Sequence, residues 1–190
     1  MKNAKILITS SHRPTRNTRR FIKALSKVVP NAVKVNRGKQ TFKLLVLQAV
    51  DINADKILVV RNRKGNPGFI DVYKVAVTSM ELVKICTLRI CGYLIDEAYK
   101  GIHQVETSII KRGDALLESE FPPDILECIL KAFNISTFQK EQRAQGNSIC
   151  VNIEHFKTRG RIGVEVTFNS CNSSTRYLVI RICSKSNDSS

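Results

Sequence analysis

Residues 5–31 read KILITSSHRPTRNTRRFIKALSKVVPN. The stretch opens with an apolar run typical of a buried strand, passes through a polar turn, and enters a segment whose apolar residues recur at helical spacing. Those recurring residues are Phe21, Ile22, Leu25, Val28 and Val29. The pattern therefore predicts a strand over 5–9 and an amphipathic helix over 15–29. Thr15 or Asn17 can cap the start of that helix.

The predicted helix carries its positive charges on the side opposite the apolar residues. Four basic residues fall at i, i+4, i+7 and i+11, which places them in one row, with Arg19 on its flank. This row, the basic ridge, consists of Arg16, Arg20, Lys23 and Lys27. No Glu is interleaved to relieve the repulsion, so a bound anion would stabilise the helix. A merely soluble surface helix is the alternative, although such helices normally mix both signs of charge.

Charge is distributed unevenly along the chain. The first fifty residues hold twelve Lys and Arg and no Asp or Glu, whereas residues 51–190 hold nineteen basic and sixteen acidic residues. The formal net charge of +15 therefore arises mostly from the first fifty positions. Such a one-sided concentration of charge indicates a polyanionic partner, and nucleic acid is the usual one in a cell.

The turn before the helix is a candidate phosphate site. Free N–H groups at a helix start attract anions, and Ser10, Ser11 and Arg13 add hydroxyls and a positive charge. The turn contains no glycine and no Gly-Lys-Ser/Thr sequence, so it is not a P-loop and nucleotide hydrolysis is not indicated. An ordinary N-cap turn is the alternative, because Ser and Thr favour such positions.

Beyond residue 31 the pattern alternates between strands and helices. The predicted elements are a short strand over 33–35, a short buried helix over 41–50, strands over 56–61 and 69–75 joined by a loop over 62–68, an apolar stretch over 82–94, a helix beginning at Pro122 and Pro123, strands over 149–156, 162–168 and 177–183, and a frayed tail over 184–190. Residues 99–120 give no clear pattern. The order of elements predicts an α/β fold with mixed sheets (α+β) in one domain over 1–183, made of two halves at about 1–78 and 79–183.

Residues 6–31 resemble the opening of the Brix-domain family of ribosome-biogenesis proteins, in its short, single-domain archaeal form. The features that carry the resemblance are an apolar strand ending in Thr9-Ser10, a basic Arg13-Pro14-Thr15 segment, a basic helix, and the ending Pro30-Asn31. The resemblance implies two structurally related halves, each similar to the anticodon-binding domain of certain aminoacyl-tRNA synthetases. It also implies an RNA-binding surface between or across these halves.

Two basic loops could extend the ridge in such an arrangement. One loop contains Arg61, Arg63 and Lys64, and the other contains Lys157, Arg159 and Arg161. Ordinary charged turns are the alternative, since loops are polar by default.

Cysteine and histidine placement argues against metal binding and catalysis. The six cysteines show no two-residue spacing of the kind found in zinc knuckles or redox motifs, so they are interpreted as small buried hydrophobes in a reducing cytosol. His12, His103 and His155 lie near no sequence cue for a base or a nucleophile. We therefore expect no metal, no cofactor and no enzymatic activity.

These observations predict a non-catalytic factor that grips ribosomal RNA or its precursor during ribosome biogenesis. The residues alone indicate nucleic-acid binding, and the ribosomal assignment comes from the resemblance. The predicted RNA-binding residues are Ser10, Ser11, Arg13, Arg16, Arg19, Arg20, Lys23 and Lys27. Recognition is expected to rely on phosphate, 2′-hydroxyl and shape, because the aromatic signature of base-stacking sheets does not occur.

The apolar runs are too short to span a bilayer, which predicts a cytoplasmic protein, or a nucleolar one in a eukaryote. Other assembly proteins are further candidate partners, and the oligomeric state is left open.

Two alternative functions remain. One is an RNA-modifying enzyme such as a methyltransferase, against which no glycine-rich cofactor loop follows any predicted strand. The other is a protein-interaction scaffold for assembly factors.

Overall fold

The computed structural model describes residues 5–103, 105, 107–111, 123–135, 148–158 and 161–183. Its elements in chain order are β1 (Lys5–Ser10), α1 (Arg16–Val28), β2 (Ala32–Lys34), α2 (Phe42–Asp51), β3 (Ala54–Arg63), β4 (Asn66–Ala76), β5 (Glu81–Ile95), a short 3₁₀ helix (Glu97–Gly101), β6 (Thr107–Lys111), α3 (Pro123–Ala132), β7 (Ser148–Thr158), β8 (Arg161–Ser170) and β9 (Arg176–Cys183). Within the described residues the strands form one mixed sheet of order β2-β1-β3-β4-β5-β9-β8-β7-β6. The predicted α+β class is confirmed.

Two similar strand arrangements meet in the middle of this sheet. In the first, β1 pairs with β3 in parallel, and β3, β4 and β5 follow as antiparallel neighbours. In the second, β6 pairs with β7 in parallel, and β7, β8 and β9 follow as antiparallel neighbours. The last strands of the two arrangements, β5 and β9, pair antiparallel with each other. The sheet is therefore continuous across the predicted boundary at 78–79, which falls in the turn between β4 and β5.

The main core lies on the sheet face that carries α1 and α3. From α1, Phe21 and Leu25 are fully buried in it, and α3 with the residue after it contributes Ile129 and Phe133. The Phe133 ring meets Phe168 of β8 edge-on, with ring centroids 5.5 Å apart. The apolar stripe predicted for α1 is confirmed, because all five of its residues are buried in this core.

Helix α2 covers part of the opposite face and is only half buried. Leu45, Val46 and Ala49 pack into a smaller core with residues of β1, β3 and β4. By contrast, Phe42, Leu44 and Leu47 are 43%, 46% and 48% exposed. The prediction of a short buried helix was only partly right, because a helix that rests on one sheet face leaves its outer side to solvent.

The hairpin of β3 and β4 is tighter than predicted. The strands extend through Arg63 and Asn66, and only Lys64 and Gly65 form the turn, with φ values of 49° and 80°. Two successive positive φ values define the turn type that best matches strand twist, and Gly65 adopts the second without strain. A Cβ atom on Gly68 would lie 2.2 Å from the Cβ of Arg63, so glycine is required there as well. The predicted loop over 62–68 is therefore corrected to a two-residue turn.

The second half contains the predicted helix and its three predicted strands, as α3 and as β7, β8 and β9. In the unclear segment 99–120 the chain completes the 3₁₀ helix and forms β6. Residues 112–120, Pro122 and the tail over 184–190 lie outside the described residues.

All six cysteines form disulfide bonds, which corrects their interpretation as small buried hydrophobes in a reducing cytosol. Cys86 of β5 is bonded to Cys128 of α3, and Cys91 of β5 to Cys183 of β9. Cys150 of β7 is bonded to Cys171 in the turn after β8. The partners lie 42, 92 and 21 residues apart, so sequence spacing could not show them.

Thiol counting tests this pairing directly. Titration of the unfolded, unreduced protein is expected to find no free thiols, and six after reduction. The double variant Cys91→Ser/Cys183→Ser should unfold more readily by about 2 to 4 kcal/mol, because it releases a 92-residue loop at the junction of β5 and β9. Six reactive thiols before reduction, or a melting temperature unchanged by reductant, would contradict the assignment.

Candidate nucleic-acid interface

The start of α1 is fixed by its capping residue. Thr15 Oγ1 accepts a hydrogen bond from the Thr18 amide at 3.3 Å and donates one to the Gly65 carbonyl at 2.8 Å. Of the two predicted caps, Thr15 is therefore the one used. The same hydroxyl ties the helix start to the β3–β4 turn, 50 residues away in sequence.

Further side chains lock this junction. The Thr18 hydroxyl donates to Asn62 Oδ1 at 2.6 Å, and Asn17 Nδ2 donates to Asn66 Oδ1 at 2.8 Å. Asn62 Nδ2 also donates to the Arg13 carbonyl at 3.1 Å. The turn with Lys64 is thereby held against the start of the helix. Sequence reasoning missed these asparagines, because an Asn in a polar loop gives no sign of a partner more than forty residues away.

The basic ridge lies on the solvent side of α1, as predicted, but its four side chains differ in exposure and in the partners they bind. Arg16, Arg20 and Lys23 are exposed, whereas Lys27 is half-buried and donates to the Ile102 carbonyl at 3.0 Å. Arg20 forms an ion pair with Glu97. Arg16, Lys23 and the flanking Arg19 form no ion pair with any residue of the described ranges, so they carry uncompensated charge.

Glu97 is an acidic group that sequence reasoning missed. It is the first residue of the 3₁₀ helix after β5 and pairs with both Arg20 and Lys100. The hydrogen bond from Lys100, together with the charge of Arg20, holds the pKa of Glu97 below its ordinary value. The same hydrogen bond raises the pKa of Lys100. Glu97 is therefore ionised at neutral pH and competes with any anion that approaches Arg20.

The turn before α1 offers one exposed cation and few free hydroxyls. Arg13 is exposed and adopts a left-handed backbone with φ of 53°. Ser10 is only 7% exposed at the end of β1, so its predicted contact with phosphate is not supported by this geometry. Ser11 is half-buried, and its amide donates to the Val60 carbonyl at 2.8 Å.

Arg61 is engaged within the sheet. It pairs with Asp71 on β4 and stacks over the Phe69 ring, with its guanidinium carbon 4.6 Å from the ring centroid. Burial raises the pKa of Asp71, but hydrogen bonds from Arg61, Thr87 and Lys84 outweigh it, and the pKa lies below its ordinary value. Arg61 thus neutralises a buried carboxylate, so its predicted RNA-binding role is not supported.

Lys157 of the second predicted basic loop lies far from the Lys64 turn. The chain runs up β3 toward Lys64 but down β7 toward Lys157, so the described ends of the β3–β4 and β7–β8 hairpins lie at opposite ends of the sheet. About four strand spacings of roughly 4.8 Å also separate them laterally. Lys157 is exposed there, Arg159 lies outside the described residues, and Arg161 is described only by its backbone. The predicted role of this loop beside the ridge stays a prediction.

Two further findings concern membranes and metals. Among the described residues, no helix is long and apolar enough to cross a membrane. In the same part of the chain, no group of three His, Cys, Asp or Glu residues is placed to hold a metal ion.

Comparison with known proteins identifies similar chains in archaea. A probable Brix domain-containing ribosomal biogenesis protein of Pyrococcus horikoshii is 45% identical over 62 residues, which are 33% of this chain and 28% of that protein. A protein of the same description from Aeropyrum pernix is 43% identical over 68 residues, covering 36% and 38% of the two chains. The matches thus span well under half the length of these relatives. No protein-family model matches the sequence.

Solved structures share the fold over nearly the whole chain. The crystal structure of a probable ribosomal biogenesis protein from Aeropyrum pernix superposes with a TM-score of 0.76 at 24% identity, covering 97% of this chain and 98% of that one. The archaeal Imp4-like protein Mil gives a TM-score of 0.63 at 15% identity, covering 94% and 97%. The predicted resemblance to Brix-domain ribosome-biogenesis proteins is confirmed.

Removing the acidic competitor should strengthen anion binding. Glu97→Gln leaves Arg20 without its carboxylate partner, so we expect an RNA oligonucleotide to bind about two- to fivefold more tightly at low salt, with the gain lost as salt rises. Glu127→Gln is the matched control, because Glu127 pairs with Lys131 on α3, a different helix. Fluorescence anisotropy measures both, and equal affinities for the two variants would contradict the competition.

Proposed function

We propose that this protein is a non-catalytic ribosome-biogenesis factor that binds ribosomal RNA or its precursor through α1 and the turn before it. The ribosomal part of the proposal rests on the archaeal relatives, whose descriptions name ribosome biogenesis. The RNA-binding part rests on the charges of the helix itself.

The uncompensated charge on α1 carries the proposal. Arg16, Arg19 and Lys23 point to solvent and have no acidic partner in the described chain. The first turn of α1 contains no acidic residue, so the positive end of the helix dipole adds to the charge of these side chains. Packing on the sheet holds the helix rigidly, so a phosphate backbone would meet pre-positioned cations.

Contact would take place mainly through phosphate. Lysine and arginine neutralise phosphates and release condensed counterions, which gives affinity with little sequence preference. The exposed side of α1 carries no aromatic side chain, since Phe21 is fully buried. Base stacking is therefore not favoured on this helix, and specificity would come from the shape of folded RNA and its 2′-hydroxyls. Such binding requires neither a cofactor nor a catalytic group.

The finer architectural proposal is that the domain over 1–183 consists of two related halves, each resembling an anticodon-binding unit. The matching strand order and direction around the β5–β9 junction support an internal duplication. Because β5 pairs with β4, we propose a division after β5 in place of the one predicted at about 78–79.

The proposed role places the protein in the cytoplasm, with other assembly factors as candidate partners. Persistent disulfides are unusual in that compartment, except in hyperthermophilic archaea and bacteria. The three disulfide bonds of this chain are consistent with such a setting.

Salt dependence tests the phosphate mechanism. The ridge variant Arg16→Ala/Lys23→Ala should lower the slope of log affinity against log salt by about 1.5, because each lost phosphate contact removes roughly 0.7 to 0.9. The control variant Lys74→Ala/Lys131→Ala removes the same charge from β4 and α3. Titrations of one RNA at several salt concentrations give the slopes.

The control should keep the slope of the original protein. A ridge variant whose salt slope and RNA affinity equal those of the control would contradict the proposed role of α1. Circular dichroism and a thermal melt confirm that both variants are folded.

A further inference from the structure

Three loops meet at the end of the sheet where α1 begins. They follow the carboxyl ends of β1, β2 and β3, which lie side by side in the order β2-β1-β3. The loops span residues 11–15, 35–41 and 64–65. Parallel strands bring their carboxyl ends to one edge, so these loops share one surface although they are separate in sequence.

Hydrogen bonds fasten the loops to one another. His12 Nδ1 donates to the Gly38 carbonyl at 3.3 Å, joining the first loop to the second. Asn62 Nδ2, near the end of β3, donates to the Arg13 carbonyl, and Thr15 Oγ1 donates to the Gly65 carbonyl, so the first loop is joined to the end of β3 and to the third loop. The surface is therefore one connected unit rather than three independent loops.

This connected surface carries only positive charge. The three loops contain no Asp or Glu. The exposed basic side chains of these loops, with Arg63 at the end of β3, form the basic rim: Arg13, Lys39, Arg63 and Lys64. None of the four forms an ion pair with a residue of the described chain. Uncompensated cations on loops held this firmly indicate a second polyanion contact beside the ridge.

The rim and the ridge run in different directions. The ridge follows α1, and Arg16 and Lys23 are about 10 Å apart along the helix axis at 1.5 Å per residue. The rim crosses the ends of four neighbouring strands, β2 to β4, over roughly 14 Å at 4.8 Å per strand. The two lines meet near Arg13 and Arg16, where the turn enters the helix.

Aromatic platforms for unpaired bases do not occur on this surface. The three loops contain no Phe, Tyr or Trp, and the neighbouring Phe42 has the Arg37 guanidinium over its ring at 4.5 Å. Proteins that grip single strands usually stack the bases on aromatic rings. A helical RNA instead presents two phosphate backbones and hides its bases, which suits two rows of cations.

We propose that the rim and the ridge form one bipartite surface for double-stranded RNA, with one backbone of the duplex on each row. This proposal rests on the proposed RNA-binding function and adds to it the RNA class and a second contact surface. Lys39 and Lys64 are its outer contacts, and the hydrogen bonds around Asn62 set the angle between the two rows.

Four proteins and two RNA probes test the proposal. The proteins are the original chain, the rim variant Lys39→Ala/Lys64→Ala, the ridge variant Arg16→Ala/Lys23→Ala, and the control Lys74→Ala/Lys131→Ala. The probes are a 20-base-pair RNA duplex and a 20-nucleotide uridine strand. The original chain should bind the duplex more tightly, and the rim variant should lower the salt slope on the duplex by about 1.5 while changing binding to the single strand little.

The outcomes separate this proposal from the function on which it rests. A rim variant that matches the control on the duplex, while the ridge variant is weakened, would overturn the bipartite surface and leave the helix function intact. A ridge variant that also matches the control would overturn both. Equal affinity of the original chain for duplex and uridine strand would overturn the assignment to double-stranded RNA.

Discussion

The docking of α1 onto the β3–β4 hairpin is the contact on which the functional surface depends. Thr18 is fully buried and donates to Asn62 Oδ1 from the helix, while Thr15 caps the helix and reaches the Gly65 carbonyl. Buried polar groups are costly unless they are paired, so these bonds fix one relative position of helix and turn. In that position the basic rim lies next to the basic ridge.

Part of the large positive charge is compensated by acidic side chains that lie next to basic ones. Asp71 compensates Arg61 and Lys84 within the sheet, and Glu97 compensates Arg20 and Lys100 beside α1. Cations that form no ion pair in the described chain remain on α1 and on the loops at its start, among them Arg16, Lys23, Lys39 and Lys64. Because these cations lie close together and form no ion pair in the described chain, they are the main physical reason to assign this part of the surface to a polyanion.

Sequence periodicity was sufficient for the elements but not for the contacts between them. The 3.6-residue period of Phe21, Leu25 and Val28 marked the buried side of α1, and the opposite side followed from it. Pairings across 40 to 90 residues left no periodic signal, which is why the disulfides and the Asn62 contact went unpredicted. The same limit applies to Arg20, Lys27 and Arg61, whose partners in space could not be inferred from their neighbours in sequence.

Ultraviolet cross-linking of the tagged protein in its own cells, followed by sequencing of the bound RNA, tests the central claim most directly. The ridge variant Arg16→Ala/Lys23→Ala, shown to be folded, is compared with the original chain. The account predicts reads concentrated on precursor ribosomal RNA and lost in the variant. Reads scattered over tRNA and messenger RNA, or a variant that cross-links as well as the original chain, would contradict it.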